Sequence, residues 1–133
     1  MKKILHGWWP AIAWLAIVII LLVLPGSAFP QEVWPSEIQP DKVVHVVLFA
    51  ILVWTFCRAF YEKRPSSNLV YTFIIITITS ILFGLIMEYV QKNFIPNRSF
   101  DEGDLIADAI GAVAGYIISC WLYLRHRRSS KTS

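Results

Sequence analysis

The sequence predicts an all-α, polytopic membrane protein, a bundle of four transmembrane helices with both termini in the cytoplasm. Three observations carry that prediction. The 133-residue chain is 56% apolar and only 16% charged, with a mean hydropathy of +0.57, whereas soluble domains are about 25% charged. Its apolar residues gather into runs of roughly 20, the length at which a helix crosses a bilayer core. Its basic residues are divided unevenly between alternate connections. Nine (Lys2, Lys3, Arg58, Lys63, Arg64, Arg125, Arg127, Arg128 and Lys131) fall on one side, against three (Lys42, Lys92 and Arg98) on the other. That excess places the termini inside. The chain has the length of one domain, with 8–124 as the membrane domain and 125–133 as a basic cytoplasmic tail. The tail reads as a solvated membrane flank rather than a nucleic-acid binder.

Each span has its own justification. Trp8 to Leu24 is an apolar run opened by Trp8, Trp9 and Pro10, and paired tryptophans suit a membrane interface. A cleaved signal peptide, with cleavage near residues 26–28, is the rival reading; the run is long for an apolar region of about 7–15 residues. Pro25 to Pro40 is a loop, because its recurrent prolines remove donors and fix φ. Asp41 to Phe60 is the second span, with Asp41 as N-cap, and a short basic loop follows. Leu69 to Gln91 is the third. Its β-branched middle, TFIIITITSILFG, favours a strand in water, but a lone strand in lipid leaves its backbone unpaired, so a helix is expected. The chain turns at Pro96 and Asn97. Ser99 and Glu102 then have capping-box spacing for a fourth helix running to about Leu124. Cys57 and Cys120 both fall toward the reducing side, so no disulfide is expected. No C-x-x-C or H-E-x-x-H spacing suggests zinc.

The topology brings three helix ends together on the outer side, and the ionisable residues collect there. Lys42 and His45 lie at i, i+3 on the second span, and Glu88 and Gln91 lie at i, i+3 near the end of the third. On the fourth, Asp101, Asp104, Asp108, Gly111 and Gly115 step by 3, 4, 3, 4 and share one stripe. The G-x-x-x-G part lets another backbone approach closely, and Gly84 on the third span is its expected partner. Lys42 and Arg98 oppose Glu88, Asp101, Asp104 and Asp108, a net charge of −2 with His45 neutral. Burying such an excess calls either for a carboxyl that keeps its proton or for a cation. Asp101, Asp104 and Asp108 with Glu88 offer oxygen ligands to a hard divalent ion, although the spacing fits no EF-hand. Plainer readings stand beside these. Asp101 and Glu102 suit an exposed interfacial loop, Lys42 suits snorkelling to the interface, and His45 suits a structural hydrogen bond to Glu88 or a carbonyl.

The combined pattern resembles the VanZ-like family of membrane proteins. Lys42 and His45 within DKVVHVVLFAIL resemble its second-span motif. Glu88 and Gln91, then Arg98, Asp101 and Asp104, then Gly111 and Gly115, resemble its second motif: E-x-x-Q, R-x-x-D-x-x-D and G-x-x-x-G. The likeness covers about residues 8 to 124. One departure is Asp108, where the family has asparagine more often. The family is named for a protein linked to reduced susceptibility to teicoplanin, so the resemblance implies a cell-envelope protein connected with antibiotic resistance and specifies no molecular activity.

Three functions fit these residues. The first is binding or processing of an anionic envelope lipid at a bacterial cytoplasmic membrane. There Lys42, Gln91, Arg98 and Asp101 contact the ligand, and His45, Glu88, Asp104 and Asp108 supply acid–base chemistry. The second is a small proton- or ion-coupled transporter in which Glu88 or Asp108 cycles protons, although charges at one membrane side argue against a midplane site. The third is a non-catalytic scaffold or accessory subunit. A membrane lipid is the expected partner and a nucleic acid is not; self-association, the metal and any cofactor stay open. A histidine-type lipid phosphatase is disfavoured, since only His45 lies in a span. No P-loop, serine-hydrolase elbow or dinucleotide motif occurs.

Overall fold

The computed structural model describes residues 6–24, 40–64, 68–95 and 101–125. They form four helices: α1 (Trp9–Val23), α2 (Pro40–Lys63), α3 (Leu69–Phe94) and α4 (Glu102–Ser119). The last continues through a wider π-type turn, Cys120–Leu124. The β-branched run, expected to be helical because lipid leaves a lone strand unpaired, is helical throughout α3. Three helices, Lys42–Lys63, Leu69–Phe94 and Glu102–Leu124, are long and apolar enough to cross a membrane. α1 has 15 residues, about 22 Å at 1.5 Å per residue, short of a hydrocarbon core of about 30 Å.

The helix starts follow local chemistry. Proline occupies the first turn of α1, where its missing N–H costs no intrahelical bond. Asn68 caps α3, its side chain accepting from the Tyr71 N–H at 3.3 Å. The cap of α4 corrects the expected capping box. Asp101, not Ser99, is the capping residue, and its Oδ1 accepts from the Gly103 N–H at 2.8 Å. A carboxylate there both satisfies an orphan donor and complements the helix dipole.

The helices meet in two apolar clusters. Val18 and Leu22 of α1 pack with Leu48, Phe49 and Leu52 of α2 and Met87 of α3. Nearer the other end, Val53 and Cys57 of α2 pack with Leu69, Phe73 and Ile76 of α3 and Ala112 of α4. Both cysteines are free thiols. Two side chains fasten α1: Trp14 donates Nε1–H to the Leu48 carbonyl at 3.0 Å, and Gln91 donates Nε2–H to the Leu22 carbonyl at 2.7 Å. At the end of α2, Glu62 accepts from the Gly7 N–H and from Arg58 Nε, each at 3.0 Å.

The glycines pack differently from expectation. A Cβ on Gly111 would collide with the Val46 carbonyl oxygen, and one on Gly115 with that of Ala50. The G-x-x-x-G stripe therefore lies against α2, not against Gly84 of α3. The stripe's period fixes which face of α4 is flat, but the partner is whichever helix presents carbonyls one turn apart, and Val46 and Ala50 do so. Gly84 instead makes room for a side chain: a Cβ there would lie 2.7 Å from Asp108 Oδ2.

Polarity runs inward. Among the described residues His45, Glu88, Gln91, Asp104 and Asp108 are buried, while Ile78, Leu82 and Ile86 of α3 and Ile106, Ile110 and Ile117 of α4 are exposed. Water would drive the opposite arrangement. A hydrocarbon solvent makes this one favourable, because it has nothing to offer a charge and nothing to gain from hiding a leucine.

Candidate functional site: a buried polar layer between three helices

Lys42 and His45 stand on the first turns of α2, Glu88 on the last turns of α3, and Asp104 and Asp108 on the first turns of α4. His45 is five residues into its helix, Glu88 six from the end of its own, and Asp108 six into its own. At 1.5 Å per residue these positions all lie roughly 7–9 Å from the helix ends, so antiparallel connectivity brings them to one level.

The centre of the layer is a contact between α2 and α4. His45 Nδ1 lies 2.6 Å from Asp108 Oδ1, and the two side chains are 3% and 1% exposed. An ionised Asp108 accepts the Nδ1 proton at this distance, and the lone pair of a neutral imidazole then lies on Nε2. That nitrogen faces Asp104, 3.8 Å from Oδ2. The expected hydrogen bond of His45 to Glu88 is replaced by this pair, because Gly84 leaves space for Asp108 to reach across.

Lys42 closes the layer on its exposed side. Its Nζ is 3.0 Å from Asp101 Oδ2 and 3.5 Å from Asp104 Oδ1. The hydrogen bond from Lys42 is the main reason the Asp101 carboxyl is held below the ordinary carboxylate value; partial burial opposes it, and the Gly103 N–H adds to it. Asp101 is both cap and counter-ion, since its two oxygens serve Gly103 and Lys42 separately. Its own N–H donates to Glu88 Oε2 at 3.2 Å, linking α4 to α3.

Glu88 is 1% exposed. Its second oxygen, Oε1, has no hydrogen-bond partner among the described residues. One ligand atom from each of His45, Glu88 and Asp104 falls within 4.8 Å of the others. The group differs from the oxygen-only set the sequence suggested. Asp101 is engaged by Lys42, Asp108 stands behind the histidine, and His45 takes a place among the potential ligands.

The remaining sequence candidates fall elsewhere. Gln91 is buried, but its amide nitrogen is directed to α1, where it satisfies the Leu22 carbonyl. It holds the bundle together instead of joining the layer. Arg98 and Ser99 lie outside the described residues, as does the side chain of Asp41. Sequence reasoning missed Val46 and Ala50, whose carbonyls seat the glycine stripe, and the backbone N–H of Asp101. Main-chain groups carry no residue-type signal, although Val46 and Ala50 do sit one turn apart.

Buried ionisable groups on three apolar helices, surrounded by outward-facing isoleucine and leucine, define a helical membrane protein with an internal polar centre. The family follows from the chain as a whole: a family model described as VanZ/LLP1 matches residues 8–123, so the protein belongs to that family. Neither a curated protein nor a solved structure matches the chain.

Proposed function

We propose that this VanZ-family chain crosses a bacterial cytoplasmic membrane four times, with both termini inside and the bilayer thinned around the short α1, and that its polar layer binds the phosphate-bearing head of an anionic envelope lipid. The observation that carries the reading is the buried His45–Asp108 pair with Lys42 on its exposed side. A histidine whose Nδ1 is occupied by a carboxylate is oriented to accept a proton at Nε2, the arrangement of a general base. The N-termini of α2 and α4 both open at this end, and helix N-termini favour phosphate. Arg98 joins them from the sequence. The excess of basic residues on the loops at the opposite end supports an outer-facing layer.

The test is native mass spectrometry of gently extracted protein, wild type beside Lys42→Ala, Arg98→Ala and His45→Gln. Phospholipid adducts are expected on wild type and on His45→Gln and should be lost from both basic variants. Unchanged lipid content in Lys42→Ala and Arg98→Ala would overturn the reading. A scaffold role is the competing function, favoured by the links Lys42–Asp101 and Asp101–Glu88 that join all three helices. It predicts that the basic variants lose thermal stability while keeping their lipid.

A further inference from the structure

We infer that His45, Glu88 and Asp104 form a binding site for one divalent transition-metal ion, with Asp108 as the residue that orients the histidine ligand. This site stands independently of lipid binding through Lys42 and Arg98; with the ion bound, His45 Nε2 is a ligand and not a proton acceptor.

The three residues come from three different helices, and their ligand atoms lie within 4.8 Å of one another. Nitrogen and oxygen ligands bind such ions at about 2.0–2.2 Å, so around a tetrahedral ion they sit about 3.3–3.6 Å apart. Side-chain adjustments of up to roughly 1.5 Å draw the three atoms to that spacing. Glu88 supplies the independent sign of a missing partner. It is almost fully buried, one of its oxygens is fixed by the Asp101 N–H, and the other has no hydrogen-bond partner among the described residues. Buried polar atoms are normally satisfied, and a cation among these side chains satisfies this one.

Two further features match metal chemistry. Histidine ligands almost always pass their other N–H to a carboxylate or carbonyl, which sets the tautomer. His45 does this with Asp108 at 2.6 Å, and the room for Asp108 is made by Gly84. The charge also agrees. Lys42 contacts Asp101 and Asp104, and Asp101 already matches its charge. A divalent ion offsets the negative charge that the Glu88 and Asp104 carboxylates bring to the site. Imidazole with two carboxylates suits zinc or manganese better than magnesium or calcium, which prefer all-oxygen sites. Three protein ligands leave a coordination position open, as in catalytic rather than structural zinc sites.

The experiment uses full-length, tag-free protein in detergent, stripped with chelator and titrated calorimetrically with zinc or manganese chloride, with magnesium and calcium as comparators. The bound ion is counted by elemental analysis after desalting. One ion per chain is expected for wild type. Glu88→Gln and Asp104→Asn should each weaken binding at least 100-fold, and Asp108→Asn should weaken it 10–100-fold, as loss of an orienting carboxylate does. Glu62→Gln, at the far end of α2, should bind as wild type does. Cobalt bound to wild type should give the visible absorption of a four- or five-coordinate ion, a readout that needs no variant to fold. Substoichiometric zinc and manganese on wild type, with no cobalt spectrum, would overturn the site. So would full binding in Glu88→Gln. Because metal is added without lipid, failure here leaves the lipid reading intact, and lipid loss in Lys42→Ala leaves the metal reading intact.

Discussion

Gly111→Ala adds one methyl group at the closest approach of α2 and α4. An ideal Cβ at Gly111 lies inside contact distance of the Val46 carbonyl oxygen and 3.0 Å from both the Val46 Cα and carbonyl carbon, where ordinary contact begins near 3.4 Å. Neither atom is the end of a flexible side chain, so the helices must separate by roughly 0.5–1 Å, a gap that forfeits a quarter to a half of each dispersion contact along the seam. Overpacking of this kind costs about 1–3 kcal/mol, against which alanine's better helix propensity returns at most about 1 kcal/mol. The net expectation is destabilisation of about 1–2 kcal/mol, or roughly 5- to 30-fold in the folding equilibrium. The assay is reversible unfolding in mixed micelles, followed by tryptophan fluorescence. Gly103→Ala is the comparison, because its Cβ meets chiefly the Cε–Nζ end of Lys42, which can swing away at the expense of a partly exposed ion pair; its cost should stay below about 1 kcal/mol. If Gly111→Ala proves as stable as wild type, the close α2–α4 approach is wrong, and the position of the polar layer above it loses its support.

Four other outcomes follow. Gln91→Ala strips the Leu22 carbonyl of its buried donor and should cost about 1–3 kcal/mol, read in the same unfolding assay; a neutral result would sink the α1–α3 link. Gly84→Ala places a methyl group against Asp108 Oδ2 and should break the His45–Asp108 pair, seen by NMR as a shift of the buried His45 imidazole; an unmoved resonance counts against the pair. Asp101 titrates below the ordinary carboxylate value because of Lys42. Its stabilising contribution is thus complete above about pH 4 and lost as pH falls through the lowered value, so Asp101→Asn should flatten the acid limb of a stability profile, and an identical limb would refute that. In a background lacking Cys57 and Cys120, an impermeant maleimide on intact cells should label Asn93→Cys and leave Arg64→Cys unlabelled until lysis; the reverse would invert the topology.

How much of this was legible in the sequence depends on what periodicity encodes. The 3, 4, 3, 4 spacing from Asp101 to Gly115 identified one face of α4, and Asp104, Asp108, Gly111 and Gly115 are indeed all buried there. Periodicity names a face but not its partner, which is why α3 was expected where α2 stands. The same limit applied to His45. Its helix, depth and polar surroundings were readable, whereas the choice of Asp108 over Glu88 turns on the absent Cβ of Gly84, a contact between residues far apart in the chain. The α4 cap was missed because Ser99 and Asp101 are both good caps two residues apart, and the capping-box spacing to Glu102 favours Ser99. Gln91 was read with Glu88 because i, i+3 residues share a face; its longer side chain reaches past the layer to the end of α1. The length of α1 was overestimated by counting apolar flanks that lie outside the helix.

The inward-facing acids of α4 also bear on how the protein is made. A nascent α4 meeting the bilayer alone would carry Asp104 and Asp108 toward lipid, at a cost that reaches about 2.5–3.5 kcal/mol per acid at a helix centre and falls toward the helix end. Those groups find their counterparts, Lys42 and His45, on α2, which leaves the ribosome first. Translation order therefore presents α4 with waiting partners, which lowers the cost of carrying its acids out of water.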